Sequence, residues 1–329
     1  MTSRVREIGN RKLKTLITGA AGFIGSHLTD RLLGEGRRVV GLDNLCNFYD
    51  PARKRQNLRK ASAGGQFALI EADIRDREAV MAALRTHQPS TVIHLAAMAG
   101  VRPSIADPSY YAAVNVDGTV NLLDAALEHG VERFIFASSS SVYGNNPKVP
   151  FAEDDNVDHP ISPYAATKKA GELICHSYWH VHRMPVGCLR FFTVYGPRQR
   201  PDLAIGKFLR LVRDDQVIPL FGDGSTSRDY TFIDDIVGGI IAAMERLDSQ
   251  NGYRIWNLGG NRPVTLSNLV ATIERVTGRR PHIESHPMQP GDVQRTWADL
   301  SRSKAELGYE PTTSLEEGIA VQWRWICGE

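Results

Sequence analysis

The sequence predicts an α/β protein: a doubly wound parallel sheet with a smaller α/β domain interleaved toward the C-terminus. Three observations predict it. From Leu13 to Ser138, short β-branched or apolar runs alternate with amphipathic stretches, the pattern of βαβ units. A glycine-rich turn, Gly19-Ala20-Ala21-Gly22-Phe23-Ile24-Gly25, stands between the first run and the first amphipathic stretch. At 329 residues, with 42% hydrophobic and 23% charged side chains, the chain can bury a large core without disulfides.

In chain order, LKTLITG from Leu13, RVVGLD from Arg38, QFALIEAD from Gln66, TVIHLAA from Thr91 and RFIFASS from Arg133 have strand length and end in small or polar residues. Phe23 to Leu33 and Ala79 to Leu84 carry helical apolar spacing, and Val114 to Leu127 sets Val116, Val120, Leu123 and Leu127 on one stripe. Beyond Val142 proline and glycine become frequent, and two long helices are read, starting near Tyr164 and Ala204. VGCLRFFTVYG from Val186 reads as a strand returning to the first sheet.

Lys and Arg total 39 against 37 Asp and Glu, a net charge of +2 that argues for neither nucleic acid nor an anionic membrane as partner. Cys46, Cys175, Cys188 and Cys327 are scattered without a CxxC, which disfavours a disulfide framework or zinc site and favours a reducing, cytoplasmic setting. The first ten residues lack an apolar stretch, and no run approaches the roughly 18 apolar residues of a membrane span.

The glycine turn sits where a Rossmann-type sheet binds a dinucleotide. Gly19 permits the tight turn, Gly22 lets backbone N–H groups approach a pyrophosphate, and Gly25 lets the helix pack close to the sheet. Asp43 ends the second strand 18 residues after Gly25, a spacing suited to adenosine ribose hydroxyls. Its charge repels a 2′-phosphate, so the expected cofactor is NAD and not NADP. Asp73 is a candidate adenine partner, and Leu95-Ala96-Ala97 lie where the cofactor crosses the sheet edge; both read equally well as ordinary strand ends. The expected division is residues 1–190 for the NAD-binding domain, with a strand and helix returning from about 229–260, and mainly 191–329 for a substrate domain.

In SPYAATKKA, Tyr164 and Lys168 are four apart and share one helix face. An ammonium and a nicotinamide cation beside a phenol lower its pKa from about 10 toward neutrality, making Tyr164 a general base. A hydroxyl from Ser138-Ser139-Ser140-Ser141 can bridge it to a substrate hydroxyl.

TGAAGFIGSHL, HLAAMAGVRPS, VNVDGTVNLL, FASSSSVYG, SPYAATKKAGE, RFFTVYGPRQRPD, FGDGSTSRDYTFIDDI and PGDVQRTWADLSRSKAELGYEP together resemble the extended short-chain dehydrogenase/reductase superfamily of nucleotide-sugar epimerases and dehydratases. The resemblance implies that Ser139, four residues before Tyr143, is the catalytic hydroxyl. It also implies that Phe23, Ile24, Asn44, Ile74 and Asn115 join the cofactor contacts, with Tyr164 and Lys168. Family dehydratases carry an Asp-Glu pair after the hydroxyl, and UDP-glucuronate decarboxylases a Glu two residues before the Tyr of VYG. Ser140 and Ser141 stand there, so an epimerase is implied.

TVYGPRQRP resembles the UDP-glucuronate 4-epimerases, whereas UDP-galactose 4-epimerases usually place Asn at Thr193. The resemblance implies a hexuronate carboxylate held by Arg102, Ser140, Ser141, Thr193 and Arg200; phosphate or loop contacts are the lesser reading of Arg102 and Arg200. It places Arg228 on the diphosphate, Pro219 and Phe221 near uracil, and Lys207 and Asp292 nearby. Gln289 stands where galactose epimerases often have Arg, with Arg295 as a substitute candidate. Left open are a UDP-glucose/UDP-galactose or N-acetyl-sugar 4-epimerase, a UDP-glucuronate decarboxylase and a non-catalytic NAD-sensing protein. The resemblance further implies a homodimer through a four-helix bundle of Tyr110 to Glu128 and Tyr164 to His182.

His176 and His180 have i,i+4 spacing without a completing ligand, so no metal is expected. PARKRQNLRK, with Arg53, Lys54, Arg55, Arg59 and Lys60 and no acid, reads as a solvated helix and not a polyanion site. Between Arg190 and Arg213 six basic residues face one acid, Asp202, which suggests a local field for an anionic nucleotide sugar.

Overall fold

The computed structural model describes residues 14–248, 252–288 and 293–328. The five early runs form β1 (Lys14–Thr18), β2 (Arg38–Asp43), β3 (Phe67–Glu71), β4 (Thr91–His94) and β5 (Arg133–Ser139). The later strands are β6 (Val186–Phe191), β7 (Thr193–Tyr195), β8 (Val217–Phe221), β9 (Ser227–Phe232), β10 (Tyr253–Leu258), β11 (Pro263–Thr265) and β12 (His282–His286). Seven of them make one parallel sheet in the order β3-β2-β1-β4-β5-β6-β10.

Successive side chains leave opposite faces of each strand. Ile17, Ile93, Ile135 and Leu189 enter one buried cluster, and Leu16, Val92, Phe134 and Phe136 the other. Burial on both faces explains why these runs read as continuously apolar. Helices Phe23–Gly34 and Ile233–Arg246 cover the first face, and Arg77–His87, Gly118–Glu128 and Pro163–His182 cover the second.

The chain builds outward from β1 through β2 to β3, then crosses to β4 on the other side. The reversal opens a crevice at the C-terminal ends of β1 and β4, where doubly wound sheets bind ligands.

Four details differ from the sequence reading. TVIHLAA stops as a strand at His94, so Leu95–Ala97 leave the sheet at the crevice. VGCLRFFTVYG divides: Phe191 ends β6, while β7 joins β9 and β11 in a separate three-stranded sheet. The helix expected from Tyr110 begins at Pro108 and contains a π turn, Ala113–Asp117. Helices Leu266–Thr277 and Leu315–Cys327 add to the two long helices read from the sequence, and their caps are written in the chain. Thr265 accepts from Asn268 N at 3.2 Å, and Ser314 with Glu317 forms a full capping box.

Candidate active site

The crevice depends on close backbone approaches. Gly19 has φ +69°, and a Cβ there would stand 2.8 Å from Ala96 N; a Cβ on Gly25 would stand 2.1 Å from Gly19 O. Helix Phe23–Gly34 starts at Gly22 with no side-chain cap and no acid in its first turn. Its free N–H groups and positive dipole end therefore face a cavity of about 480 Å³ lined by Gly19, Gly22, Phe23, Ile24 and Gly25.

Asp43 lines the same cavity, its carboxylate accepting from Ala21 N at 3.0 Å and Leu45 N at 2.9 Å. Asn44 Nδ2 donates to Asp73 at 2.9 Å, and Arg75 does so at 2.8 Å. The Arg75 bonds hold the Asp73 carboxyl down at about 2, and Asn44 assists. Ile74, Leu95, Ala96 and Ala97 complete this wall. Asn115 does not line it. From the π turn its amide clasps Met98, Oδ1 accepting from Met98 N at 2.8 Å and Nδ2 donating to Met98 O at 2.9 Å. An uncapped helix N-terminus and a carboxylate closing β2, both opening on one crevice, fit the pyrophosphate and ribose of a dinucleotide.

At the other end, Ser162 accepts from Ala165 N at 3.1 Å and Pro163 opens the helix, setting Tyr164 and Lys168 in its first two turns. Gly171 lets the helix lie on β5, since a Cβ there would stand 2.3 Å from Phe136 Cζ. Ser139 ends β5; its Oγ accepts from Ser141 N at 3.2 Å and Ser141 Oγ at 2.9 Å, and it is close enough to the Tyr164 phenol to favour its charged form. Lys168 Nζ donates to Ala137 O at 2.7 Å and lies 6.0 Å from the Tyr164 ring centroid. Ser139, Ser141, Tyr164 and Lys168 line the cavity begun by the glycine turn.

Here the expected electrostatics need correction. Burial pushes the Tyr164 phenol up, and the opposing pulls come from the Ser139 hydroxyl and the Arg200 charge, not from Lys168. Lys168 is engaged by Ala137 and is itself pushed down to about 8 by burial. A depressed phenol is thus not a property of the protein alone.

The basic field between Arg190 and Arg213 also dissolves. Arg190 is buried on Glu172, Arg198 pairs with Asp30 at 2.8 Å, Arg200 with Asp202 at 2.8 Å and Arg213 with Asp214 at 2.7 Å. Four of the six cations thus meet a carboxylate, and three of those carboxylates, Glu172, Asp30 and Asp214, lie outside the counted segment.

Of the substrate candidates, Ser141, Thr193 and Arg200 line the cavity, Arg200 with its guanidinium 5.2 Å from the Phe48 ring centroid. Ser140 stands in the 3₁₀ turn behind that wall. Arg102 lies over the Phe221 ring at 5.7 Å, so these two candidates meet each other outside the cavity. Arg228 donates to Ser227 O at 2.9 Å, Pro219 sits on β8 and Lys207 is exposed, all away from it. Arg295 pairs with Ser227 only through an isolated backbone β-bridge. Asp292 and Gln289 lie outside the described residues. The sequence reading missed Phe48, Tyr49, Phe192 and Leu203, apolar or aromatic wall residues with no motif of their own. Rings of His176 and His180 stack at 6.2 Å, and among the described residues no group of three or more His, Cys, Asp or Glu is gathered for a metal.

A glycine turn at the switch point, with Ser139, Tyr164 and Lys168 on one wall, defines an enzyme of the short-chain dehydrogenase/reductase class. Residues 16–321 match the GDP-mannose 4,6 dehydratase family, and the chain belongs to that family of nucleotide-sugar enzymes. It is 42% identical over 312 residues to UDP-glucuronate 4-epimerase of Thermodesulfobacterium geofontis, covering 94% of this chain and 95% of that protein. The UDP-glucuronic acid 4-epimerase of Bacillus cereus, solved with UDP-glucuronic acid and NAD, superposes with a TM-score of 0.90 at 36% identity, over 96% and 99% of the two chains. The UDP-glucose 4-epimerase of Thermotoga maritima, solved with UDP-glucose, gives 0.88 at 33% identity, again over 96% and 99%.

Proposed function

We propose that the protein interconverts UDP-glucuronate and UDP-galacturonate by NAD-dependent oxidation and re-reduction at C4. One observation carries this reading: Ser139, Tyr164 and Lys168 share a cavity with Ser141, Thr193 and Arg200, and the two residues after Ser139 are serines, not carboxylates. Gly19, Gly22 and Gly25 would hold the pyrophosphate and Asp43 the adenosine ribose. NAD⁺ bound there supplies the hydride acceptor that later returns the hydride to the opposite sugar face. Tyr164 takes the C4 hydroxyl proton through or beside the Ser139 hydroxyl and gives it back on reduction. Lys168 balances the phenolate charge. Ser140 and Ser141 cannot act as carboxylate acid or base, so neither can serve as the Asp-Glu pair of a dehydratase does. Ser141, Thr193 and Arg200 supply hydroxyl and guanidinium partners for a hexuronate carboxylate.

One observation favours a UDP-glucose reading. Arg200 already holds Asp202 through Nε at 3.1 Å and NH2 at 2.8 Å, so a neutral hexose does not leave the Arg200 guanidinium unpaired. Incubating the purified protein separately with UDP-glucuronate and UDP-glucose decides between them. Conversion of UDP-glucuronate is expected, and conversion of UDP-glucose alone overturns the carboxylate assignment.

The division into a cofactor part, residues 1–190 with β10 and helix Ile233–Arg246, and a mainly sugar-nucleotide part, 191–329, belongs to the same reading. Exposed apolar Leu127, Leu173 and Val181 on the two long helices, with Ile105 beside them, support a homodimer through a four-helix bundle. A single-chain mass by light scattering overturns it. Four free cysteines support a reducing, cytoplasmic setting, which fractionation tests; among the described residues no helix is long and apolar enough to cross a membrane.

A further inference from the structure

A second cavity of about 670 Å³ adjoins the first. The segment Arg198–Pro201 forms part of both walls: Arg200 lines the catalytic cavity, while Arg198, Gln199 and Pro201 line the second. Neither Tyr164 nor Lys168 reaches it. Its wall carries Arg53, Arg59, Lys60, Arg198, Arg210 and Arg213, and no Asp or Glu.

The first three come from the run expected to be a solvated helix face. Arg53, Arg59 and Lys60 instead converge with cations about 140 residues later in the chain, and among the described residues none of the three pairs with a carboxylate. Of the other three, Arg213 is engaged through all its guanidinium nitrogens, by Asp214 and Ile326 O, while Arg198 and Arg210 are only partly answered. Arg198 NH2 holds Asp30, but its NH1 is buried with no hydrogen-bond partner. Arg210 NH2 donates to Pro201 O at 2.9 Å. Burial, then the charges of Arg53 and Arg213, lower the proton affinity of Arg210, which shows how closely these cations crowd. The Tyr49 hydroxyl, on the wall common to both cavities, is a second buried donor without a partner. Trp325 on the same wall is 43% exposed, a flat apolar surface beside the cations.

Unanswered guanidinium groups, two orphaned buried donors and an open indole are complementary to a ligand with several phosphate oxygens and a planar ring. Guanidinium forks match phosphate bidentately, and indole faces stack on bases. The volume lies within the roughly 300–1,000 Å³ of small-molecule sites. We propose that this cavity is a second, non-catalytic nucleotide site. A nucleoside diphosphate would set its phosphates among Arg53, Lys60, Arg198 and Arg210 and its base on Trp325. The assignment is independent of which sugar nucleotide the catalytic cavity turns over.

Calorimetric titration of the holoenzyme, with NAD and UDP-glucuronate both saturating, tests it with two probes, ADP and inorganic pyrophosphate. The expected result is one saturable ADP site per chain, weakened at least tenfold by the exposed double substitution Arg53→Glu/Lys60→Glu. Thermal unfolding of the ligand-free variant checks that the fold is intact. Trp325→Ala is expected to weaken ADP about tenfold and to leave pyrophosphate unchanged. No saturable binding, or ADP binding unaltered by the double substitution, overturns the site. Pyrophosphate binding as tight as ADP, with neither changed by Trp325→Ala, overturns the nucleotide assignment and leaves a site for phosphate alone.

Discussion

Arg190 lies flat against Glu172, its Nε 2.8 Å from Oε1 and its NH2 2.9 Å from Oε2, and both side chains are only 1% exposed. Ser138 donates to the same Oε1 at 2.6 Å, and Arg190 NH1 donates to the Tyr143 hydroxyl at 3.0 Å, which donates in turn to Asn257 Oδ1 at 2.7 Å. Glu172 is one turn beyond Lys168, and Ser138 precedes Ser139. The network therefore fixes the helix bearing Tyr164 and Lys168 against the strand bearing Ser139.

Removing the cation strands a buried carboxylate. Arg190→Met is expected to cost about 3–5 kcal/mol, because Glu172 keeps its charge without a partner. Replacing both residues, Glu172→Met/Arg190→Met, removes the stranded charge and is expected to cost clearly less than Arg190→Met alone. Urea unfolding of the two variants measures the difference, and a double variant less stable than the single one contradicts the account.

This pair also shows what the sequence leaves illegible. The glycine turn, the five early strands and the Tyr164–Lys168 spacing are local patterns, each contained within one element and its neighbour. Glu172 and Arg190 meet only because β6 is laid beside β5 under the helix. Counting charges along Arg190–Arg213 gives a buried cation and an exposed one equal weight, so Arg190 was read as part of a substrate field. Phe48 and Phe192 carried no pattern at all, since a cavity wall is assembled from distant loops. Arg53 and Lys60 were visible as a basic run, but the cavity they share with Arg198 and Arg210 exists only in three dimensions.

Lys168 is held in place against its own solvation. With its pKa pushed down to about 8 from 10.5, the folded protein binds fewer protons than the unfolded chain between those values, so stability rises with pH across that window. Below pH 8 the folded state bears the whole cost of the buried ammonium, about 3 kcal/mol. Lys168→Met is expected to melt higher at neutral pH, to lose the stability rise between pH 8 and 10.5, and to lose turnover at least a hundredfold. A variant that melts lower would show that the ammonium is not the destabilising group.

Tyr164→Phe removes the proposed proton acceptor and little else. Turnover is expected to fall by roughly 10²–10⁴ while NAD remains bound. In the unsubstituted enzyme, burial raises the phenol, so kcat/KM is expected to climb with pH until Lys168 loses its ammonium and then to fall, with the descending limb near 8. A rate that is flat through that region contradicts the role given to Lys168.

Gly25→Ala tests the cradle without touching chemistry. The added Cβ would meet Gly19 O at 2.1 Å, a backbone atom that cannot turn aside, so the helix must lift from the turn. The expected loss is about 1–3 kcal/mol of stability, together with release of NAD during purification. The ratio of bound nucleotide to protein reads this directly, and full retention would show that the turn adapts.

Arg200 tests the specificity reading most severely. It lines the catalytic cavity beside Thr193, is bonded to Asp202 and pulls on the Tyr164 phenol. A charge-assisted bond to a hexuronate carboxylate is worth about 1.5–3 kcal/mol, so Arg200→Ala is expected to lower kcat/KM for UDP-glucuronate by about 10- to 150-fold. Any effect on UDP-glucose turnover, through Asp202 or the phenol, should be much smaller. A second consequence follows from the chemistry of the substrate. A 4-keto glucuronate is a β-keto acid, which loses CO₂ once its carboxylate turns out of the ring plane. With the guanidinium gone that rotation is freer, so the variant is expected to release CO₂ and form a UDP-pentose alongside the epimer. Equal losses on both sugars, with no CO₂, would mean that Arg200 serves only to position the loop through Asp202.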